Sequence, residues 1–207
     1  MDRTNGFDAV AWYYDRLARI VFGKSICRSQ TCFLSTLSST SNILVLGGGT
    51  GWWLKEFLQK KPGCRILYVD ASPAMLNLAK KAVGDDKRIT FRLGTENSIK
   101  EVHEFDAVIT FFFLDLFSHE KLRDVIAGIK IALKPNARWL VSDFINTTWW
   151  HACILSVMYF FFRISTGLQN KSLPDWTGLL LESNLRVLEH KMFFGNFIKS
   201  GLYQTTE

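Results

Sequence analysis

The sequence is poor in the residues that would set it apart from ordinary globular chains. Four prolines and four cysteines among 207 residues are too few for a proline-rich linker or a disulfide scaffold. Cys27, Cys32, Cys64 and Cys153 stand 5, 32 and 89 residues apart, which fits neither a zinc knuckle nor a CxxC redox pair. No metal site is expected, and free thiols point to a reducing, cytoplasmic compartment. The start, Met1-Asp2-Arg3-Thr4-Asn5-Gly6, lacks the charged-then-apolar order of a secretory signal. The long apolar run from Trp149 to Phe162 spans about 14 residues, contains His151 and closes at Arg163. A bilayer needs ~20. No run of basic residues interleaves with stacking aromatics, so the net charge of +6 argues for no nucleic-acid partner. No repeat or low-complexity tract is present.

What is present is apolar and aromatic. Hydrophobic residues make up 48% and charged ones 21%, with 17 Phe and 7 Trp. This balance excludes a disordered chain, and the length predicts one domain. Residues 1–41 form a lead-in read as two helices, with Trp12, Leu17, Ile20 and Val21 at helical spacing, then Ile26, Phe33, Leu34 and Leu37. Ser35 to Ser41 reads as a linker. Over 42–145 strand-like and helix-like runs alternate, which means βαβ units and a parallel sheet. The strands are read at Ile43–Leu46, Arg65–Val69, Ile89–Leu93, Phe105–Thr110 and Ala137–Val141. The helices are read at Thr50–Lys60, Pro73–Val83 and His119–Leu133. Ser72 is placed to cap the second, with Pro73 at its first position. Lys134-Pro135-Asn136 is read as the stop of the third. Residues 146–173 form an aromatic insertion or lid. Residues 174–207 hold a helix from Pro174-Asp175 to about Ser183, then strands Leu185–Phe194 and Phe197–Gln204 joined by Gly195-Asn196 as a hairpin. The fold class is therefore α/β and Rossmann-like. It predicts seven strands, mostly parallel, with helices on both faces and an antiparallel strand near the C-terminus.

The strongest local signal is Gly47-Gly48-Gly49-Thr50-Gly51, between a buried strand and a helix. Glycines there permit positive φ and a close approach of ligand to backbone, at the carboxyl end of a strand where such sheets bind ligands. Nineteen residues after Gly51, Asp70 ends the second strand, where a carboxylate can accept from ribose hydroxyls. A dinucleotide fingerprint would need a third glycine where Trp52 or Leu54 stands, and no Gly-Lys-Ser/Thr follows for a P-loop.

The segments Ile43–Gly51, Tyr68–Leu76, Phe105–Ile109 and Leu133–Ala137 together resemble the class I S-adenosylmethionine-dependent methyltransferases, over roughly residues 42–204. Trp12–Ala18 is similar to the lead-in of the ubiquinone and menaquinone methyltransferase branch. The resemblance implies S-adenosylmethionine as cofactor. Gly47, Gly48, Gly49 and Gly51 would lie against its methionine part, and Asp70 would bind its ribose. Ala71, Met75 and Phe111 would lie beside the nucleoside, with Thr95 and Glu96 near the adenine amino group. Val45 departs from the family, standing where an acid is usual, so the motif does not say how the ammonium group is held.

Methyl transfer from a sulfonium needs positioning and a dry site, and a base only where the acceptor must lose a proton. Base candidates are Asp143, His151 and Tyr14, followed by Asp115, His119 and Tyr13. His103 and His190 read as surface or core residues. After the fourth strand the chain reads Thr110-Phe111-Phe112-Phe113-Leu114. The Asn/Asp-Pro-Pro-Tyr/Phe motif of nucleic-acid amine methyltransferases is absent there, as are the acids an aminopropyltransferase needs. With Phe117, Trp149, Trp150 and Tyr159–Phe162, this stretch points to a small or lipid-like apolar acceptor. The competing explanation is a strand buried on both faces. Arg163 and Lys171 beside the insertion keep a peripheral membrane contact open. The alternatives in function are a non-catalytic S-adenosylmethionine-binding protein and an NAD(P)-dependent oxidoreductase.

Overall fold

The computed structural model describes residues 21–166 and 172–206, with only the helical backbone over 159–166. The first lead-in helix, with Trp12, Tyr13, Tyr14, Leu17 and Ile20, lies outside the described residues, as do Lys171 and the side chains of Tyr159–Phe162 and Arg163.

Seven strands form one sheet: β1 (Asn42–Leu46), β2 (Arg65–Asp70), β3 (Ile89–Leu93), β4 (Phe105–Phe111), β5 (Leu133–Phe144), β6 (Leu185–Phe193) and β7 (Ile198–Thr205). Their order is β3-β2-β1-β4-β5-β7-β6, with every pairing parallel except those of β7, which runs antiparallel to β5 and β6. The described helices are α1 (Lys24–Thr31), α2 (Leu54–Lys60), α3 (Pro73–Val83), α4 (His119–Ala132), α5 (Trp149–Thr166) and α6 (Trp176–Glu182).

The period of two along the strands sorts side chains to opposite faces. Leu44, Leu46, Leu67 and Val69 pack with α4 and α6, whereas Ile43, Val45, Ile66 and Tyr68 pack with α2, α3 and the Phe33–Leu37 segment. Central strands covered on both sides read as continuous apolar runs for this reason. On α4, Leu122, Val125, Ile126 and Ile129 are buried at helical spacing, and Ser118 caps the helix by accepting from the Lys121 N–H at 3.3 Å. On α3, the Ser72 hydroxyl accepts from the Met75 N–H at 3.1 Å with Pro73 at the first position, as predicted.

Several boundaries differ from the sequence expectation. Helix α2 begins at Leu54 rather than Thr50, because Gly47, Gly49 and Gly51 all adopt positive φ and extend the loop. The second lead-in helix ends at Thr31, and Leu34–Thr36 is a separate 3-10 turn. Strand β5 starts at Leu133, immediately after α4, so Lys134-Pro135-Asn136 lies inside the strand. Pairing with β4 slips between Phe105 and Ala107, and Asn136 takes φ 59. A bulge thus accommodates the proline, which cannot donate to a ladder. The β6–β7 connection has four residues rather than two: Phe194, Gly195 and Asn196 share positive φ, and the Phe197 N–H donates to the Phe194 carbonyl at 3.0 Å.

The insertion forms α5, which exposes Trp149 (80%), Cys153 and Val157 (70%) at successive i+4 positions while burying His151 and Leu155. Among the described residues no helix is long and apolar enough to cross a membrane.

Candidate functional site

From β1 the chain crosses to β2 and β3 on one side, and later from β4 to β5 on the other. The carboxyl ends of β1 and β4 therefore flank the topological switch point, where open α/β sheets bind ligands. The glycine loop leaves β1 at this point, and Phe111 and Phe112 leave β4 beside it.

The loop is closely fitted beneath and open above. A Cβ on Gly47 would come within 2.5 Å of the Phe113 ring, and one on Gly48 within 2.2 Å of the Tyr68 ring. At Gly51 it would meet Leu54 at 2.7 Å and Ala79 at 3.0 Å, so this glycine lets α2 and α3 approach. Gly49 differs: its φ is +64 and a Cβ there would meet nothing within 4 Å. Asp70 fixes this loop from the end of β2. Its Oδ2 accepts from the Gly49 N–H at 2.9 Å, and its Oδ1 accepts from the Ser72 N–H at 2.9 Å. The Tyr68 hydroxyl donates to the Gly49 carbonyl at 2.9 Å. Sequence reading missed Tyr68, although its place two residues before Asp70 puts both on one face.

Of the other expected cofactor residues, Ala71, Met75, Thr95 and Glu96 adjoin Asp70, while Phe111 stands at the end of β4. Ala71 follows Asp70, and Met75 is buried in the first turn of α3. The Gly94 N–H donates to the Asp70 carbonyl at 3.0 Å, which brings the Thr95–Glu96 turn alongside. Thr95 is exposed and accepts from the Asn97 N–H at 3.4 Å, and a Glu96 carboxylate oxygen lies 3.8 Å from Lys121 Nζ. Phe111 is buried edge-on against Trp53, with ring centres 5.8 Å apart. Val45 is buried in β1 as the register partner of Tyr68.

Beyond β4 the backbone turns at Phe112, whose φ of 52 is unusual for a residue with a Cβ. The next three N–H groups, of Phe113, Leu114 and Asp115, all point at Asp143 Oδ2, at 3.2, 2.9 and 3.3 Å. The Phe144 N–H reaches Oδ1 at 2.8 Å. Asp143 is fully buried, and that burial pushes its carboxyl well above the usual range, helped by the Asp115 charge and opposed by the Phe144, Asp115 and Leu114 N–H groups. Burial likewise pushes Asp115 up to about 7. Asp143 thus ties the turn after β4 to the end of β5.

His151 is also fully buried. Its Nδ1 accepts from the Thr147 N–H at 3.2 Å and its Nε2 pairs with the Gly195 carbonyl at 3.2 Å, the pattern of a neutral ring protonated on Nε2. It pins the start of α5 to the β6–β7 connection. Tyr13 and Tyr14 lie outside the described residues. His119 and His190 are exposed, and His103 pairs with the Leu133 carbonyl at 2.9 Å. Close to the site, Phe112, Phe144, Phe197, Phe22 and Phe194 form a ring cluster with centres 4.9–5.9 Å apart along its closest pairs. A depression of about 540 Å³ bordered by His103, Lys130 and Asn184 lies at the opposite, amino ends of the strands.

Residues 43–136 match the model of a methyltransferase domain family, which spans the glycine loop, Asp70 and β4. Over these residues the chain is similar to the class I S-adenosylmethionine-dependent methyltransferases, whose fold it shares. Among curated methyltransferases it is 29% identical over 152 residues to malonyl-[acyl-carrier protein] O-methyltransferase of Priestia megaterium, covering 72% of this chain and 53% of that protein. It is 26% identical over 140 residues to demethylmenaquinone methyltransferase of Tropheryma whipplei, covering 67% and 57%. The chain thus spans about half the length of the curated relatives it matches. The methyltransferase fold recurs in a chain of the Haloferax volcanii complex of the Trm112 methyltransferase activator with a methyltransferase, at TM-score 0.72 and 14% identity over 97% of this chain and 98% of that one. It recurs again in 1,6-didemethyltoxoflavin-N1-methyltransferase of Burkholderia thailandensis, solved with 1,6-didemethyltoxoflavin and S-adenosylhomocysteine, at TM-score 0.70 and 16% identity over 98% and 87%.

Proposed function

We propose that the protein transfers a methyl group from S-adenosylmethionine to a small, apolar acceptor. The observation that carries this reading is Gly49, held by Asp70 at the switch point, with φ +64 and open space where a side chain would stand. Backbone that is open only on the ligand side, next to a carboxylate, fits a nucleoside-bearing cofactor. Each carboxylate oxygen accepts two hydrogen bonds, so Asp70 can serve both its own loop and the ribose hydroxyls. Gly47, Gly48, Gly49 and Gly51 would face the methionine part. Ala71, Met75 and Phe111 would flank the nucleoside, and Thr95 and Glu96 the adenine edge.

The cofactor, when bound, supplies an electrophilic methyl group on a sulfonium. The protein's own work is to orient the acceptor and exclude water. The Phe112–Phe144 ring cluster beside the loop supports an apolar acceptor. Asp143 and His151 have their polar atoms committed to backbone groups and act in this reading as positioning residues. An acceptor that is nucleophilic at neutral pH then needs no base from the chain.

Calorimetry with S-adenosylmethionine, S-adenosylhomocysteine and NADH tests the cofactor, and a panel of phenolic, quinol and acyl-thioester acceptors assayed for S-adenosylhomocysteine release tests turnover. Binding of both sulfur compounds without NADH is expected. Binding of neither overturns the reading, and binding without turnover across the panel replaces it with that of a cofactor-binding protein.

A further inference from the structure

Gly49 is held through both of its backbone polar groups by side chains of one strand. Its N–H donates to Asp70 and its carbonyl accepts from the Tyr68 hydroxyl, each at 2.9 Å. Residues 68 and 70 share a face of β2 by the strand period. The strand directly beneath the loop contributes nothing of this kind, because Val45, paired in register with Tyr68, is apolar and 1% exposed. The Tyr68 ring also occupies the space under the loop: a Cβ on Gly48 would lie 2.2 Å from it, and one on Gly51 would lie 3.2 Å from its hydroxyl.

We propose that Tyr68 is the positioning residue that sets the Gly49–Thr50 peptide for the cofactor, doing from β2 what Val45 cannot do from β1. The proposal rests on the methyltransferase reading above. A peptide is planar, so fixing the Gly49 carbonyl fixes the whole 49–50 unit. Gly49 has no side chain to restrain it and would otherwise sample several conformations, whose entropy would be lost on binding. The hydroxyl therefore acts on ligand affinity by preorganisation, while the ring serves packing.

Tyr68→Phe separates the two, since it keeps the ring and removes only the hydroxyl. In the ligand-free protein, amide hydrogen exchange at residues 48–51 should accelerate while exchange in β1 and β4 stays unchanged. The Kd for S-adenosylhomocysteine should rise about three- to tenfold, the range set by one hydrogen bond. In turnover, KM for S-adenosylmethionine should rise with kcat retained. Tyr203→Phe, which removes another buried tyrosine hydroxyl in β7, serves as control and should leave the Kd unchanged. Wild-type binding with an unaltered Kd in Tyr68→Phe overturns this proposal alone. Equal weakening by Tyr203→Phe overturns it too, since the effect would then be general. Absence of binding by the wild-type protein overturns the methyltransferase reading and this proposal with it.

Discussion

Gly48 and Gly49 are neighbours kept as glycine for different physical reasons, and substitution separates them. Gly48→Ala drives a methyl into the Tyr68 ring, 2.2 Å from the new Cβ, so a fall in Tm of many degrees is expected. Gly49→Ala meets no atom but must hold φ +64, which costs about 1–2 kcal/mol. The expected result is a fall in Tm of a few degrees with a much larger loss of S-adenosylhomocysteine affinity, read by thermal melting and calorimetry on the same preparation. Asp70→Ala removes the acceptor of the Gly49 and Ser72 N–H groups and, in the proposed reading, of the ribose hydroxyls, so the Kd should rise at least about tenfold. Asp115 supplies a pH test. Burial pushes its carboxyl up to about 7 and raises Asp143 as well, so between about pH 4 and 7 the folded state binds more protons than the unfolded one. Stability should therefore fall as pH rises through that window, and Asp115→Asn should flatten the slope of Tm against pH. The glycines and Asp70 were legible because their residue types and spacing state their geometry. Tyr68 was not, because its role depends on which loop carbonyl lies above it.

At the scale of the element, the sequence is most readable where local chemistry ends a helix. Ser72-Pro73 sets the start of α3, Ser118 that of α4 and Asp175 that of α6, each cap accepting an N–H from the first turn. Lys134-Pro135-Asn136 misleads by the same local rule. Helix α4 does stop before it, but pairing with β4 at Leu133 and again from Arg138 onward carries the strand across it as a bulge. Tertiary pairing outweighs local propensity there. His151 shows a residue type whose meaning is set by its element. Its place in the aromatic insertion made it a candidate base in the sequence, and in the fold its hydrogen bonds join the start of α5 to the Gly195 carbonyl. His151→Ala should leave two backbone groups without their partner and destabilise the protein by about 1–3 kcal/mol. Hydrogen exchange should rise over 147–158 and 194–197, with S-adenosylhomocysteine affinity close to wild type. A large loss of affinity together with unaltered exchange would assign the ring to the ligand instead.

The whole molecule predicts a ligand-dependent melting temperature. A ligand that binds only the folded state stabilises it by about 2.7 kcal/mol at a hundredfold excess over Kd. For a chain of this length that corresponds to a rise of roughly 5–10 °C, expected with S-adenosylhomocysteine and not with NADH. The sequence alone determined the alternation of strands and helices, the glycine loop and the acid that ends β2. Each is written in hydrophobic period, glycine placement or capping chemistry within a few residues. It also marked the antiparallel end of the sheet, because two apolar runs close together in the chain can pair only by turning back. The tertiary structure decided the rest. Strand register set Val45 against Tyr68 and brought the Tyr68 hydroxyl to Gly49. The packing of β4 against β5 made Asp143 the acceptor of three consecutive loop N–H groups. These are contacts between residues 19 to 30 apart in the chain. Their chemistry exists only once the sheet has placed them together.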